Sequence, residues 1–95
     1  MVFEWDPSKA TSNLRRHKVS FKEAATVFSD PLSLTVPDPD HSIEDNRYHI
    51  VGLSHRRRLL IVSHAELGDH IRIISARELT PTEREAYEET QDPTG

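Results

Sequence analysis

The stretch from Arg47 to Arg77, RYHIVGLSHRRRLLIVSHAELGDHIRIISAR, limits the choice of fold more than any other part of the chain. Three runs rich in Ile, Val and Leu, at 47–53, 58–65 and 70–77, are separated by Gly52-Leu53-Ser54-His55 and by Leu67-Gly68-Asp69. Short aliphatic runs bounded by turn residues are the signature of strands joined as antiparallel hairpins. Such a meander supplies the floor of a small domain. This one also carries half of the 12 Lys and Arg residues: Arg47, Arg56, Arg57, Arg58, Arg72 and Arg77. Strand side chains alternate between faces, so arginines set into strands are aimed rather than scattered.

A chain of 95 residues is expected to form one domain, 1–95, with a modest core and a tail that frays over 91–95. Three aliphatic runs survive in a sequence that is 29% charged, which points to a globular rather than a disordered chain. No apolar run approaches the roughly 18 residues that span a bilayer. The start, MVFEWDPSK, lacks the basic flank and apolar core of a signal peptide. With 0 cysteines, disulfides, thiolate zinc sites and cysteine nucleophiles are excluded. The expectation is a cytoplasmic protein with no membrane association. A net charge of −4 argues against a bulk electrostatic nucleic-acid binder. Yet the acids gather in 38–45 and 78–92 while the arginines gather in the meander, so a local basic site on an acidic protein remains open, as does docking to an oppositely charged protein.

The other elements follow in order. Val2 to Trp5 alternates as an edge strand. Asp6-Pro7 starts a helix that ends near His17-Lys18, with Ala10, Leu14 and His17 as its buried stripe and Lys9, Asn13 and Arg16 on the flank. Ser20 and Glu23 read as a capping box, with Val19 and Ala24 as the hydrophobic staple, and Phe21, Ala24, Ala25 and Phe28 form the apolar face of a second helix that Pro31 ends. Leu32 to Val36 alternates as a strand with one buried face. The acidic stretch 37–46, which contains His41, reads as a mobile loop. Thr80-Pro81-Thr82-Glu83 is a second capping box and starts a helix with too few apolar residues to hold itself by burial, so that it lies loosely on the sheet or waits for a partner. The order β-α-α-β-β-β-β-α indicates an α+β fold with a central, largely antiparallel sheet.

The six histidines do not fall at metal-ligand spacings, and no metal is expected. The serines form no nucleophile elbow, and the 3 glycines make no phosphate loop. The arginines are the informative residues. Exposed strand arginines commonly do no more than keep a sheet soluble, and that account suits Arg56 and Arg57 in a turn. Arg72, between Ile71 and Ile73, is a poor place for a merely solvating charge, and Arg77 closes the same strand. A guanidinium fork on a rigid strand suits phosphate oxygens, with His64 and Glu66 on the neighbouring strand available for proton transfer. Strict alternation, however, puts Arg72 and Arg77 on opposite faces, and they converge only if a bulge or the strand end re-aims one of them. Trp5 and Tyr87 read as packing and anchoring residues.

Three segments together carry a family likeness: FEWDPSKATSNLRRHKVSFKEAATVFSDPLSL at 3–34, the meander at 47–77, and the TPTEREAYEE end. With W-D-x-x-K-x-x-x-N-L, I-R-I-I-S-A-R and E-R-x-x-Y, the chain resembles the BrnT family of bacterial type II toxins, small ribonucleases paired with the BrnA antitoxin. The resemblance implies a RelE-like fold and cleavage of RNA that halts translation, without metal or other cofactor, because the substrate's own 2′-hydroxyl is the nucleophile. It implies Arg58, Arg72 and Arg77 as charge-stabilising catalytic residues and His64 or Glu66 as the base. Lys9, Arg47, Arg56 and Arg57 are then expected to hold RNA. Glu83, Arg84 and Tyr87, which match the terminal motif, are expected to frame the site or the antitoxin interface. The implied partner is a BrnA-like antitoxin with a DNA-binding segment, in a complex built on a toxin dimer. A non-catalytic protein-binding module, docking a partner through the meander and last helix, is the alternative. The chain departs from the family pattern at Lys18 and Arg57, where Gly is common, and a left-handed backbone at Lys18 would cost about 1 kcal/mol.

Overall fold

A computed structural model describes residues 1–40 and 46–91. The expected mobility of the acidic loop, including His41, and the expected fraying of the tail concern mainly 41–45 and 92–95, which lie outside the described residues. The elements are β1 (Val2–Glu4), α1 (Pro7–His17), α2 (Phe21–Thr26) running into a 3₁₀ turn (Val27–Ser29), β2 (Leu34–Pro37), β3 (Arg47–Leu53), β4 (Leu59–Leu67), β5 (His70–Glu78) and α3 (Pro81–Gln91). They follow the expected α+β order. The sheet order is β1-β5-β4-β3-β2. All neighbours are antiparallel except the edge pair β1 and β5, which is parallel over Val2–Glu4 and His70–Arg72.

One face of the sheet is closed by α1, α2 and the 3₁₀ turn. Val19, Phe21, Ala24 and Val27 pack there on Ile50, Leu60, Val62, Ile73 and Ala76, with Trp5 set edge-on to Phe21 at 6.0 Å. Gly52 permits the close approach of β3 to the 3₁₀ turn: a Cβ at that position would stand 3.0 Å from Ser33 Cβ and 3.1 Å from Val27 Cγ1. β2 is an edge strand with every residue exposed, so the expected burial of one of its faces is not met. Its Leu34 borders a hollow shared with Ala86 and Tyr87 of α3.

The start of α1 is as the sequence predicts. Asp6 Oδ1 accepts from the backbone N–H of Ser8 at 2.8 Å and Pro7 occupies the first turn. Its buried stripe is not. Leu14 is 51% exposed and Asn13 is the buried residue. The reason lies on β5, whose neighbour β1 ends after three residues. Beyond it, Asn13 takes the place of a strand: its Oδ1 accepts from Ala76 N–H at 3.0 Å and its Nδ2 donates to Ala76 O at 2.8 Å and to Val19 O at 2.9 Å. Buried backbone groups demand partners, and one amide side chain satisfies three.

Lys18 ends α1 in the left-handed region, φ 60°, and Arg57 turns the β3–β4 hairpin at φ 65°. The two departures from the family pattern therefore fall at positions where glycine costs nothing sterically. Two variants should move stability in opposite directions. Lys18→Gly should raise it by about 0.5–1 kcal/mol, because the left-handed penalty exceeds the added flexibility of the unfolded chain. Asn13→Ala should lower it by at least about 2 kcal/mol through three orphaned groups, a fall of about 8 °C or more in a domain of this size. Thermal melting of both against the parent checks the pair, and an Asn13→Ala protein that melts with the parent would refute the surrogate-strand role.

Candidate functional site

The sheet face away from the helix-packed core is open. Register defines it. Ser63 pairs with Ser75, but His64 pairs with Ile73, so Ile74 is an extra residue in β5. A bulge shifts the phase of alternation by one. Arg72, before it, and Ser75 and Arg77, after it, therefore share one face although an odd number of positions separates Arg72 from Arg77. The convergence that strict alternation denies is achieved here.

Three rows cross this face at intervals of about 6.8 Å. The first is Arg47, Ala65, Arg72 and Glu4 on β3, β4, β5 and β1. The second is His49, Ser63 and Ser75, and the third is Val51, Ile61 and Arg77. Ala65, small, separates the two arginines of the first row, whose Cα atoms stand about 10 Å apart across two strand spacings. Lys9 from α1 joins them: Lys9, Arg47, Ala65, Arg72 and Ile74 line a hollow of about 370 Å³. The second row borders another hollow, of about 200 Å³, with His17 and Arg77.

Two strand arginines of the open face, Arg72 and Arg77, are each held by a carboxylate. Arg72, whose side chain is 56% exposed, reaches Glu4 Oε2 through Nε at 2.9 Å and Nη2 at 2.8 Å. Arg77 forms a two-pronged pair with Glu83, Nη1 to Oε1 at 2.8 Å and Nη2 to Oε2 at 3.0 Å. The same Glu83 completes the α3 capping box, accepting from Thr80 N–H at 2.9 Å while its own N–H donates to Thr80 Oγ1 at 3.2 Å. The Arg77 guanidinium, aided by the Thr80 amide, holds the Glu83 carboxyl down at about 2. Arg77 is raised in turn.

Other expected site residues lie elsewhere. Arg58 faces the helices, not the open face. Its Nε donates to Glu23 Oε2 at 3.0 Å, its Nη2 to Lys18 O at 2.9 Å and to Glu23 Oε1, and its Nη1 reaches Glu78 Oε2 at 3.4 Å. Glu23 is 2% exposed and also accepts from Ser54 Oγ at 2.6 Å. Its carboxyl is lowered by Arg58, against the cost of burial. Glu23 therefore does not reach back to Ser20 N–H as a capping box requires; only the Ser20 half forms, Glu23 N–H to Ser20 Oγ at 3.0 Å. His64 is also on the helix face, its side chain fully buried, edge-on to Phe28 at 4.8 Å and 3.2 Å from Glu66. His64 and Glu66 are thus separated by the sheet from Arg72 and Arg77. Arg56 and Arg57 sit exposed in the β3–β4 turn, about 20 Å along β3 from Arg47.

The structure thus brings together Lys9, Arg47 and Arg72, sets Arg77 farther along the same face, and separates them from Arg58, His64, Glu66, Arg56 and Arg57. On α3 no residue is buried. Tyr87 anchors the helix by donating to Leu32 O at 2.9 Å, Glu83 turns to Arg77, and Arg84 is exposed. Sequence reasoning passed over His17, His49, Ser63 and Ser75. The alternation of Arg47, His49 and Val51 already put His49 with Arg47, but the cross-strand register that adds the serines is not readable from one strand. Among the described residues, no group of three or more His, Asp or Glu side chains is gathered as metal ligands would be, and no helix is long and apolar enough to cross a membrane.

Comparison with known proteins agrees with the likeness read from the sequence. The family model described as "Ribonuclease toxin, BrnT, of type II toxin-antitoxin system" matches residues 5–83. Among solved structures, the crystal structure of the Brucella abortus ribonuclease toxin BrnT is similar to this chain with a TM-score of 0.66 and 19% identity, covering 84% of this chain and 99% of that one. That identity speaks for a shared fold. No curated protein matches.

Two of the lowered carboxyls, Glu23 and Glu83, are tied to arginines and bear on the acid side of stability. Both Glu23 and Glu83 ionise more readily folded than unfolded, so their contribution is complete above the ordinary glutamate value of 4.5 and is lost as pH falls through the folded values, for Glu83 between 4.5 and about 2. The Arg77–Glu83 side chains are 40% and 39% exposed, and solvent screening keeps that share small. The Glu23 pair is the larger share. Melting temperature should hold steady above about pH 5 and fall below it. Glu23→Gln should cost about 3 kcal/mol at neutral pH and flatten the acid limb, whereas Glu83→Gln should change both only slightly. A Glu23→Gln protein with the parent's melting profile would contradict this ranking.

Proposed function

The chain belongs to the BrnT family, ribonuclease toxins of type II toxin–antitoxin systems, and from that premise we propose that it cleaves RNA on the open face of its sheet, without a metal, and so inhibits translation. The observation that carries the reading is the convergence of Lys9, Arg47 and Arg72, from one helix and two strands, on a single hollow. Three cations on a rigid floor form a local anion site on a protein whose net charge is −4, and phosphate contacts supply most of the affinity for nucleic acid. The grip of Arg72 on the Glu4 carboxylate shows that its fork can hold an oxyanion, and a fork that grips one oxyanion suits another.

In the proposed reaction the ribose 2′-hydroxyl attacks the adjacent phosphorus, so no bound nucleophile or cofactor is needed. The protein's work is to align the attack and to offset the charge growing on the non-bridging oxygens. Arg72 is placed for that charge, with Arg47 and Lys9 holding flanking phosphate, and Arg77 meets the strand farther along once an RNA oxyanion replaces Glu83. Arg58 is assigned to the scaffold, because its guanidinium is already committed to Glu23. Activity is held in check by a small antitoxin with a DNA-binding segment, in a complex built on a toxin dimer, and α3 is the surface assigned to it. Light scattering on the coexpressed pair would show one species heavier than the sum of single copies, whereas separate elution would count against that partnership.

The decisive variant is Arg72→Ala. Its ion pair with Glu4 is largely exposed, so melting should change by less than about 1 kcal/mol. Cleavage of an RNA substrate should fall roughly a hundredfold or more, and Arg72→Lys should recover only part, since an ammonium keeps the charge but loses the fork. Normal cleavage by folded Arg72→Ala protein would move the site away from the first row.

A further inference from the structure

The hollow beside the second row has a different chemical character from the cation site next to it. Its lining includes two imidazoles, His17 and His49, with the small hydroxymethyl groups of Ser63 and Ser75 between them and Arg77 at one end. The two rings come from opposite sides. His49 stands on β3, and His17 ends α1, the helix packed along β5. Ser63 and Ser75 are paired across β4 and β5, and Ser63 is paired with His49, so the strand floor between the rings carries no bulky side chain. His49 is also backed by a carboxylate: its Nε2 lies 3.4 Å from Asp38 Oδ2, and Asp38 is 9% exposed.

We propose that His49 and His17 are the general base and general acid of the cleavage reaction, an inference that rests on the RNA-cleavage reading above. The carboxylate of Asp38 beside Nε2 favours the His49 proton on that nitrogen, and Nδ1 is then the ring's acceptor, as a neighbouring carboxylate orients the tautomer of a catalytic base. The O2′–P bond forms and the P–O5′ bond breaks. The 2′-hydroxyl proton passes to His49 Nδ1, and the leaving 5′-oxygen takes a proton from the His17 imidazolium. The products are a 2′,3′-cyclic phosphate and a 5′-hydroxyl, and solvent exchange restores both rings. The phosphate between them lies within one row, about 6.8 Å, of Arg72 on one side and Arg77 on the other. Among the described residues, the charged groups beside these rings are Asp38, after β2, and Arg77, on β5, with Arg47 one row away on β3. Two positioned imidazoles suit a reaction that moves two protons near neutral pH.

Two substrates separate this inference from the reading beneath it: an ordinary RNA oligonucleotide, and the same oligonucleotide with sulfur replacing the 5′-bridging oxygen at the cleaved linkage. A thiolate leaves without a proton, so it needs no general acid. The purified full chain should cleave the first to cyclic-phosphate ends; if it cleaves neither, the functional reading itself falls. His17→Asn and His49→Asn should each slow cleavage of ordinary RNA by about 10²–10⁴-fold, and each should remove one limb of the pH–rate profile. Sulfur should restore most of the His17→Asn loss, because the general-acid contribution of about 10²–10⁴-fold is no longer needed, and should leave His49→Asn slow. The ratio of the two rates within one variant is independent of how much of it is folded, so a variant that melts lower still gives an answer. Parent-like cleavage of ordinary RNA by either variant would overturn the assignment. So would a His17→Asn defect that sulfur does not relieve, together with weakened binding of a 2′-deoxy analogue, because that combination marks a positioning residue.

Discussion

The buried pair between Glu23 and Arg58 is the contact on which the arrangement of elements depends. Glu23 opens α2 with almost no solvent exposure and takes hydrogen bonds from Ser54 in the β3–β4 turn and from Arg58 at the start of β4. Arg58 then reaches the last carbonyl region of α1 at Lys18 and the end of β5 at Glu78. Two helices, a hairpin and a strand end meet at one guanidinium. A desolvated pair of this kind adds little net stability over an apolar replacement, but removing one partner leaves an uncompensated charge inside the protein. It consequently fixes which way the helix corner sits on the sheet. With the helices committed to that face, the other is left open for the remaining strand arginines.

Much of the architecture was readable because local signals and long-range pattern agree. The three meander strands appear within two residues of their expected limits, since each is aliphatic, short and bounded by turn residues. The starts of α1 and α3 were readable from Asp6-Pro7 and Thr80-Pro81-Thr82-Glu83 because capping is local chemistry. What escaped depends on partners distant in sequence. Asn13 looks like a flank residue until β1 is known to stop three residues along β5. Glu23 looks like the second half of a capping box until Arg58, 35 positions away, competes for its carboxylate. In both cases a tertiary contact overrode a correct local preference.

The candidate site was legible in residue type and only partly in place. Arg72, Arg47 and Lys9 were singled out for their charge, and they share a hollow. Arg58, His64 and Glu66 carry suitable chemistry but point to the opposite face, because even positions of β4 face the helices while Ser63 and Ala65 face away. The deciding feature for Arg77 is a single residue, Ile74, whose insertion reverses the alternation of β5. A period-two pattern read along one strand carries no mark of where that reversal falls. It appears only when the strand is aligned with its neighbour.

One contact has a thermodynamic consequence. Glu83 is at once the cap of α3 and the counter-ion of Arg77, so a single carboxylate closes the helix and occupies the fork. An oxyanion entering that fork and the helix cap are therefore competing ligands of the same group, and their free energies are linked. Whatever draws the first turn of α3 away raises the affinity of Arg77 for anions, and an anion bound there loosens the turn by the same factor. The reciprocity ties the first turn of the last helix to the state of the Arg77 fork, through two residues that lie 6 positions apart in the chain.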